Sequence, residues 1–165
     1  MKFFIKILLF TIIIIVSACT SANDGCHETI ETQLLAKFYE VVETKEGGYE
    51  IKTLTVDSIN VKGQGVDSIL YKNQKKAGSI KLPLKKFYTQ CAFEIMFNNV
   101  TDIITITYTN SEPYFISLEC GCEILPTIEN VTFTHNYIDS VEIVNKTISI
   151  ANPQNVENIK IYHFN

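Results

Sequence analysis

Residues Pro113–Thr134 read PYFISLECGCEILPTIENVTFT. Successive side chains of an extended chain point to opposite sides, so Tyr114, Ile116, Leu118, Cys120 and Cys122 share one face. Pro126 marks a break, after which Val131, Phe133 and His135 resume the alternation. A period of two interrupted by proline argues for β structure. The pair Cys120-Gly121-Cys122 then poses the central question, whether it staples a scaffold or carries redox or metal chemistry.

The same period extends in both directions from this stretch. Upstream, Ile104, Ile106 and Tyr108 share a face opposite Thr105, Thr107 and Thr109, and Cys91, Phe93, Ile95 and Phe97 share another. Ile51–Val61 and Val66–Tyr71 read as strands separated by a hairpin turn at Gly63-Gln64-Gly65. Downstream, Asp139–Val144 and Thr147–Ile150 flank a turn at Asn145-Lys146, and Asn158–Phe164 forms a last strand. Thr29–Glu43 fits a helical stripe and a strand equally well. The expected fold is all-β, an antiparallel β-sandwich or barrel-like domain.

The N-terminus has a different character. Lys2 and Lys6 precede the apolar run Ile7–Val16, which is too short for the roughly 20 residues of a membrane-spanning helix. Val16-Ser17-Ala18-Cys19 resembles the lipobox of bacterial lipoproteins, in which cleavage leaves a lipidated cysteine at the new N-terminus. The chain therefore divides into a lipoprotein signal peptide (1–18), a polar tether (19–28) and a single β domain (29–165). Two or three acyl chains on Cys19 would anchor it stably, since each buried CH₂ contributes about 0.8 kcal/mol. Removing Lys2 and Lys6 takes the formal net charge from −4 to −6, and arginine is absent from the sequence. Both features argue against a nucleic-acid partner. Only Asp24 and Glu28 are acidic in the tether, which favours the outer membrane facing the periplasm over surface display.

Several short motifs together resemble a family of small Bacteroidetes envelope lipoproteins catalogued only as a domain of unknown function. They are the lipobox cysteine with Cys26 soon after it, Leu34–Glu40 (LLAKFYE), and Phe115-Ile116-Ser117 leading to Cys120-Gly121. Ile128–Thr132, Val141–Asn145 (VEIVN) and Ile159–His163 (IKIYH) complete the set. The resemblance implies a β fold and a strand at Leu34, and it brings no activity. Cys122, where an aromatic is usual, and Cys91 depart from the pattern.

With Cys19 lipidated, Cys26, Cys91, Cys120 and Cys122 remain in an oxidising compartment, and four cysteines allow three connectivities. Cys120 and Cys122 would lie roughly 6.5 Å apart on a strand. Joining them needs a local turn at Gly121. The resemblance implies Cys26–Cys120, which leaves Cys91–Cys122 as a second bridge, both residues expected to face the core. Each bridge would add about 2–4 kcal/mol. A redox pair is disfavoured because Glu119 and Glu123 flank it, where an activated thiolate needs a cationic setting. A zinc site with His27 or His135 lacks supporting spacing. His163 falls on an apolar face and reads as a buried or interface histidine.

No GxSxG, HExxH or P-loop motif is present, so no catalytic residue, cofactor or metal is expected. Lys72, Lys75, Lys76, Lys81, Lys85 and Lys86 form an acid-free strip, readable as the guard of an edge strand or as a contact patch for an anionic partner. Ser58, Ser68 and Ser140 each follow Asp and precede Ile or Val, a pattern resembling the O-glycosylation acceptor of Bacteroidetes. The sequence thus leads to a non-enzymatic, disulfide-stapled envelope lipoprotein that binds a protein or envelope component. The alternatives are a calycin-like carrier of a small apolar ligand and a thiol redox protein using Cys120 and Cys122.

Overall fold

The computed structural model describes residues 32–117, 121–148 and 156–165. Every helix or strand among them is a strand: β1 (Gln33–Glu43), β2 (Tyr49–Thr53), β3 (Val56–Gly63), β4 (Ile69–Ala77), β5 (Ser79–Pro83), β6 (Gln90–Phe97), β7 (Val100–Asn110), β8 (Tyr114–Ser117), β9 (Gly121–Glu123), β10 (Pro126–Phe133), β11 (Ser140–Ile143) and β12 (Ile159–Phe164). They fall into two compact units. The larger takes in Ile30–Tyr114 and Glu123–Asn165, and the smaller includes Phe115–Cys122.

In the larger unit, sheet A runs β11-β12-β1-β2, with β5 also paired to β1, and sheet B runs β10-β7-β6-β3-β4. Sheet B is antiparallel throughout. In sheet A the one parallel pair is β1 with β12, from Ala36↔Ile159 to Val41↔Phe164. The opposite edge of β1 is shared, with β5 along Gln33–Lys37 and β2 along Tyr39–Glu43. Thr29–Glu43 therefore resolves as a strand over most of its length. Its β-branched and aromatic residues sit where a central strand can pack on both faces.

The single strand expected over Ile51–Val61 is instead two, β2 and β3, one in each sheet. The chain changes sheets at Leu54-Thr55, where the Leu54 N–H donates to the Phe38 carbonyl at 2.9 Å. Local alternation cannot reveal such a crossing, because both halves keep a period of two. The chain crosses again at Gly78 between β4 and β5. Two turns follow expected chemistry. Gly65 (φ +71°) supplies the left-handed residue of the β3–β4 hairpin. Asn98 and Asn99 (φ +46° and +77°) turn β6 into β7, the double positive φ of a type I′ hairpin.

The sheets face each other across one core. Leu34, Ala36 and Phe38 of β1, Ile80 and Leu82 of β5, and Ile159 and Ile161 of β12 enter it from sheet A. Ile59, Val61, Phe93, Ile95, Phe97, Ile104, Ile106, Tyr108 and Ile128 enter from sheet B. Each fully buried aliphatic or Phe side chain contributes about 1.5–3 kcal/mol. Phe38 and Phe97 meet edge to face across the sheets, ring centroids 5.5 Å apart. The arrangement is sandwich-like, with barrel-like links at both sides. The Tyr71 hydroxyl of β4 accepts from the Lys81 N–H of β5 at 2.8 Å. On the other side Ile128 N–H donates to the Lys146 carbonyl and Ile148 N–H to the Pro126 carbonyl, at 2.8 and 3.1 Å.

Two buried polar residues fix the irregular segments. The Asp102 carboxylate accepts from the Thr134 hydroxyl (2.5 Å) and from the backbone N–H groups of Asn136, Tyr137 and Ile138 (2.7–2.9 Å). The Asn158 side chain accepts from Leu35 N–H (2.9 Å) and donates to the Asn145 carbonyl (3.1 Å), joining β1 to the segment after β11.

In the smaller unit β8 and β9 pair only with each other. The continuous alternation expected from Tyr114 to Cys122 is therefore divided between two paired strands. Leu118, Glu119 and Cys120 lie outside the described residues, as do Cys19, Cys26 and His27.

Candidate functional site

The β5–β6 connection, Leu84–Thr89, is built from its neighbours inward. At its start Leu84 is buried in the core, and its N–H donates to the Thr32 carbonyl at 2.9 Å. Lys85 follows, and three groups form a closed triangle around it. Its N–H donates to the Cys91 Sγ at 3.3 Å, and its carbonyl accepts from the Tyr108 hydroxyl at 2.8 Å. Cys91 Sγ lies 3.1 Å from the same hydroxyl, whose proton is already committed to Lys85. The thiol is thus the donor in that contact. Burial, and then the neighbouring Cys91, push the Tyr108 hydroxyl well above its ordinary pKa, so it stays a neutral donor. At the far end the Asn110 side chain donates to the Tyr88 carbonyl at 2.7 Å, and Tyr108 N–H to the Thr89 carbonyl at 2.9 Å.

These bonds hold both ends of the loop and leave its tip outward. Phe87 is 81% exposed, and Tyr88 is exposed beside it. Phe87 also has φ +66°, a left-handed conformation that costs a bulky L residue about 1–2 kcal/mol. The Lys85 ammonium lies 5.4 Å over the Tyr88 ring, a cation–π contact. Lys86 pairs with the buried Glu123 carboxylate at 2.6 Å. The tip presents two aromatic rings and the Lys85 cation, while Glu123 meets the charge of Lys86.

A cleft of about 540 Å³ opens beside this loop, between it and the β3–β4 turn. Val66, Leu70, Leu84, Tyr88, Ala92 and Phe93 supply apolar walls, and Gln64, Ser68, Gln90 and Thr105 supply polar ones. Its size suits a side chain or small ligand, although it is open to solvent. Between the sheets the buried side chains of both pack into one cluster.

The residues singled out in the sequence do not converge on one place. Lys72, Lys75 and Lys76 lie along β4, the outer edge of sheet B. Lys81 is half-buried on β5, and Lys85 and Lys86 belong to the loop. The strip is therefore three separate features. Cys91 and Cys122 are both free thiols. The expected Cys91–Cys122 bridge is not formed, and Cys122, expected to face the core, is exposed. Cys91 does face the core, with its sulfur engaged by Lys85 and Tyr108. The partners of the other expected bridge, Cys26 and Cys120, are outside the described residues.

Of the three serines, Ser68 is exposed on the β3–β4 connection, whereas the Ser58 hydroxyl donates to the Asn73 side chain at 2.7 Å. Ser140 is half-buried opposite Tyr162. His163 stacks on Tyr137 at 4.1 Å, and its Nδ1 lies 2.8 Å from the Tyr137 carbonyl and 3.2 Å from the Asp139 carboxylate. His135 tilts against Phe133. Among the described residues no three His, Cys, Asp or Glu side chains are grouped to hold a metal ion.

Sequence reading missed Asp102, Tyr108, Asn158 and Phe87. The first three are polar or half-polar residues at positions that alternation assigns to the core or to a strand start, and that conflict was the available signal. Phe87 carried no signal beyond its place in a lysine-rich loop.

No curated protein and no solved structure matches the chain. Residues 58–163, from within β3 to within β12, match a family described as "Family of unknown function (DUF6452)". That span leaves out β1, although β1 holds the centre of sheet A. With most of its length accounted for in this way, the chain belongs to the DUF6452 family.

Proposed function

We propose that the protein is a non-enzymatic envelope lipoprotein, anchored through acyl chains on Cys19, whose β domain binds a protein or envelope component. The binding element is the Lys85–Tyr88 loop with the cleft beside it. The observation that carries this reading is Phe87, an exposed aromatic held in a strained backbone conformation by a loop fastened at both ends. Strain of this kind persists where surrounding structure over-determines it, and it clusters at binding sites. Exposed aromatics flanked by cations are the residue types that anchor partners. Val16-Ser17-Ala18-Cys19 supports the anchor, and the periplasmic face of the outer membrane is the location it favours.

The test is affinity capture from native envelopes with the full chain and with F87A and K85E variants. Capture of the same partner by the wild type and its loss in F87A support the reading, and undiminished capture by both variants overturns it. The anchor is tested separately: C19A should move the protein from the membrane to the soluble fraction.

The cleft favours a second reading, a carrier for a small apolar ligand. Native mass spectrometry of the purified chain separates the two, because a carrier retains a bound small molecule whereas the first reading expects none. The redox reading, which rests on Cys120 and Cys122, has least support, since Glu119 and Glu123 flank that pair where an activated thiolate needs a cationic setting.

A further inference from the structure

Strand β2 stands apart from the other strands. All five of its residues are exposed, including Tyr49 (76%) and Ile51 (58%). It pairs with β1 along one side alone. Among the described residues no strand pairs with its opposite side, and the hydrogen-bond alternation shows which groups line that edge. Thr44 N–H bonds to the Gly48 carbonyl at 2.8 Å, and Leu54 N–H to the Phe38 carbonyl at 2.9 Å. Alternate residue pairs of an antiparallel ladder exchange hydrogen bonds. Between those two points, therefore, Glu50 and Lys52 turn their backbone groups to β1. Tyr49, Ile51 and Thr53 turn theirs to the free edge.

The β4 edge of sheet B contrasts with it. On β4, Lys72, Lys75 and Lys76 repeat one sign of charge, and Asn73 has positive φ (+48°) where the pairing with β3 shifts register. Like charges and bulges are the devices that stop an edge from pairing with another chain. β2 has neither. Its two charges are of opposite sign, Glu50 and Lys52, symmetric about Ile51 and ion-paired at 3.0 Å within the strand.

We propose that β2 pairs antiparallel with β2 of a second copy of this chain, with the two-fold axis at Ile51. In that register Glu50 faces Lys52 of the second copy and Lys52 faces its Glu50, so both cross-strand pairs are of opposite charge. Tyr49 and Thr53 exchange hydrogen bonds with Thr53 and Tyr49 of the second copy, and Ile51 with its counterpart, about six in total. On one face, Ile51, Val41 and Phe164 already form a row across β2, β1 and β12. The two-fold doubles that row and shields Ile51 and Tyr49, two of the most exposed apolar side chains of sheet A. An isologous contact of this kind closes at two copies and leaves no repeating edge.

The charge symmetry gives a test with its own control. The oligomeric mass of the full chain in mild detergent is measured against concentration by sedimentation for the wild type, K52E and E50K/K52E. The wild type should dimerise. K52E sets the Glu50 carboxylate against the introduced carboxylate on both sides of the axis and should weaken the dimer at least tenfold. E50K/K52E restores opposite charges and should recover it, which also shows that the substituted strand still folds. A monomeric wild type, or a dimer equally strong in K52E, overturns the proposal. So does capture of a different chain that K52E abolishes while the wild type stays monomeric, because the edge then serves another partner.

Discussion

Strand β7 grips a loop near each of its ends, and the two loops treat their aromatic residues in opposite ways. Near its start Asp102 holds residues 134–138, and Tyr137 is drawn inward to stack between Phe97 (4.8 Å) and His163 (4.1 Å). Near its end Tyr108 holds residues 85–88, and Phe87 and Tyr88 are left in solvent. Both loops are fastened by a buried polar group to backbone atoms. The difference lies in what the fastening achieves, closure of the core at one end and display of a surface at the other. Substitutions at the first end should therefore show in stability, and those at the second in binding.

The largest expected effect is at Asp102. D102A leaves the N–H groups of Asn136, Tyr137 and Ile138 without their acceptor, and each orphaned buried donor costs about 1–3 kcal/mol. Loss of the pin also frees Tyr137 from its stack. We expect urea unfolding to show a loss of about 3 kcal/mol or more, with D102N nearly as damaged because its NH₂ would face backbone donors. A loss below about 1 kcal/mol would mean that the loop is held by the stack alone.

Acid and alkali should separate the two ends. Burial acts to raise the Asp102 pKa, but its hydrogen bonds from Thr134 and three backbone N–H groups prevail and hold it below the ordinary carboxylate value. A carboxylate depressed in the folded state stabilises fully above its unfolded pKa, about 3.9, and loses that contribution as pH falls through the folded value. The stability gap between wild type and D102N should therefore narrow below about pH 4. Tyr108 has the opposite sign. Its pKa is raised, so its contribution is complete below about pH 10 and is lost as pH rises through the folded value. The gap between wild type and Y108F should narrow only in alkali. Thermal unfolding from pH 3 to pH 11 reads both, and a gap that narrows at the wrong extreme would refute the assigned bonds.

At neutral pH, Y108F removes one hydroxyl and strands the Lys85 carbonyl and the Cys91 thiol, for a loss of about 1–2 kcal/mol. It should also loosen Lys85–Tyr88 and so reduce partner capture more than its stability cost alone explains. Equal capture by Y108F and wild type would show that the loop keeps its shape without this bond.

How much of this could be read in the sequence follows from the range of each interaction. The period of two is local, so the inward sets on β6 and β7, from Cys91 to Phe97 and from Ile104 to Tyr108, were legible in advance. The edge-guard reading of the lysines is local in the same way, and it fits those of β4. The parallel pairing of β1 with β12 joins residues more than a hundred positions apart, and nothing local encodes it. The role of Asp102 was not legible because its partners lie 32–36 positions downstream. Cys91 was read correctly as facing the core, but a thiol can serve as a hydrogen-bonding corner as well as half of a bridge, and sequence parity does not distinguish the two.

The smallest expected effect on stability, and the most informative about the exposed loop, is at Phe87. Its side chain contacts solvent, so F87A has little burial to lose and should unfold within about 0.5 kcal/mol of wild type. A core phenylalanine such as Phe97 should lose about 3–5 kcal/mol on the same change. F87G also relieves the left-handed backbone at φ +66°, worth about 1 kcal/mol, against a comparable entropic gain of the unfolded chain. F87G should therefore be at least as stable as F87A, while both lose the partner. A chain that is indifferent to Phe87 when it folds and dependent on it when it binds keeps that residue for binding. If F87A instead unfolds more than about 2 kcal/mol more easily, beyond what a surface change costs, Phe87 is packed in solution, and the contrast between the two ends of β7 disappears.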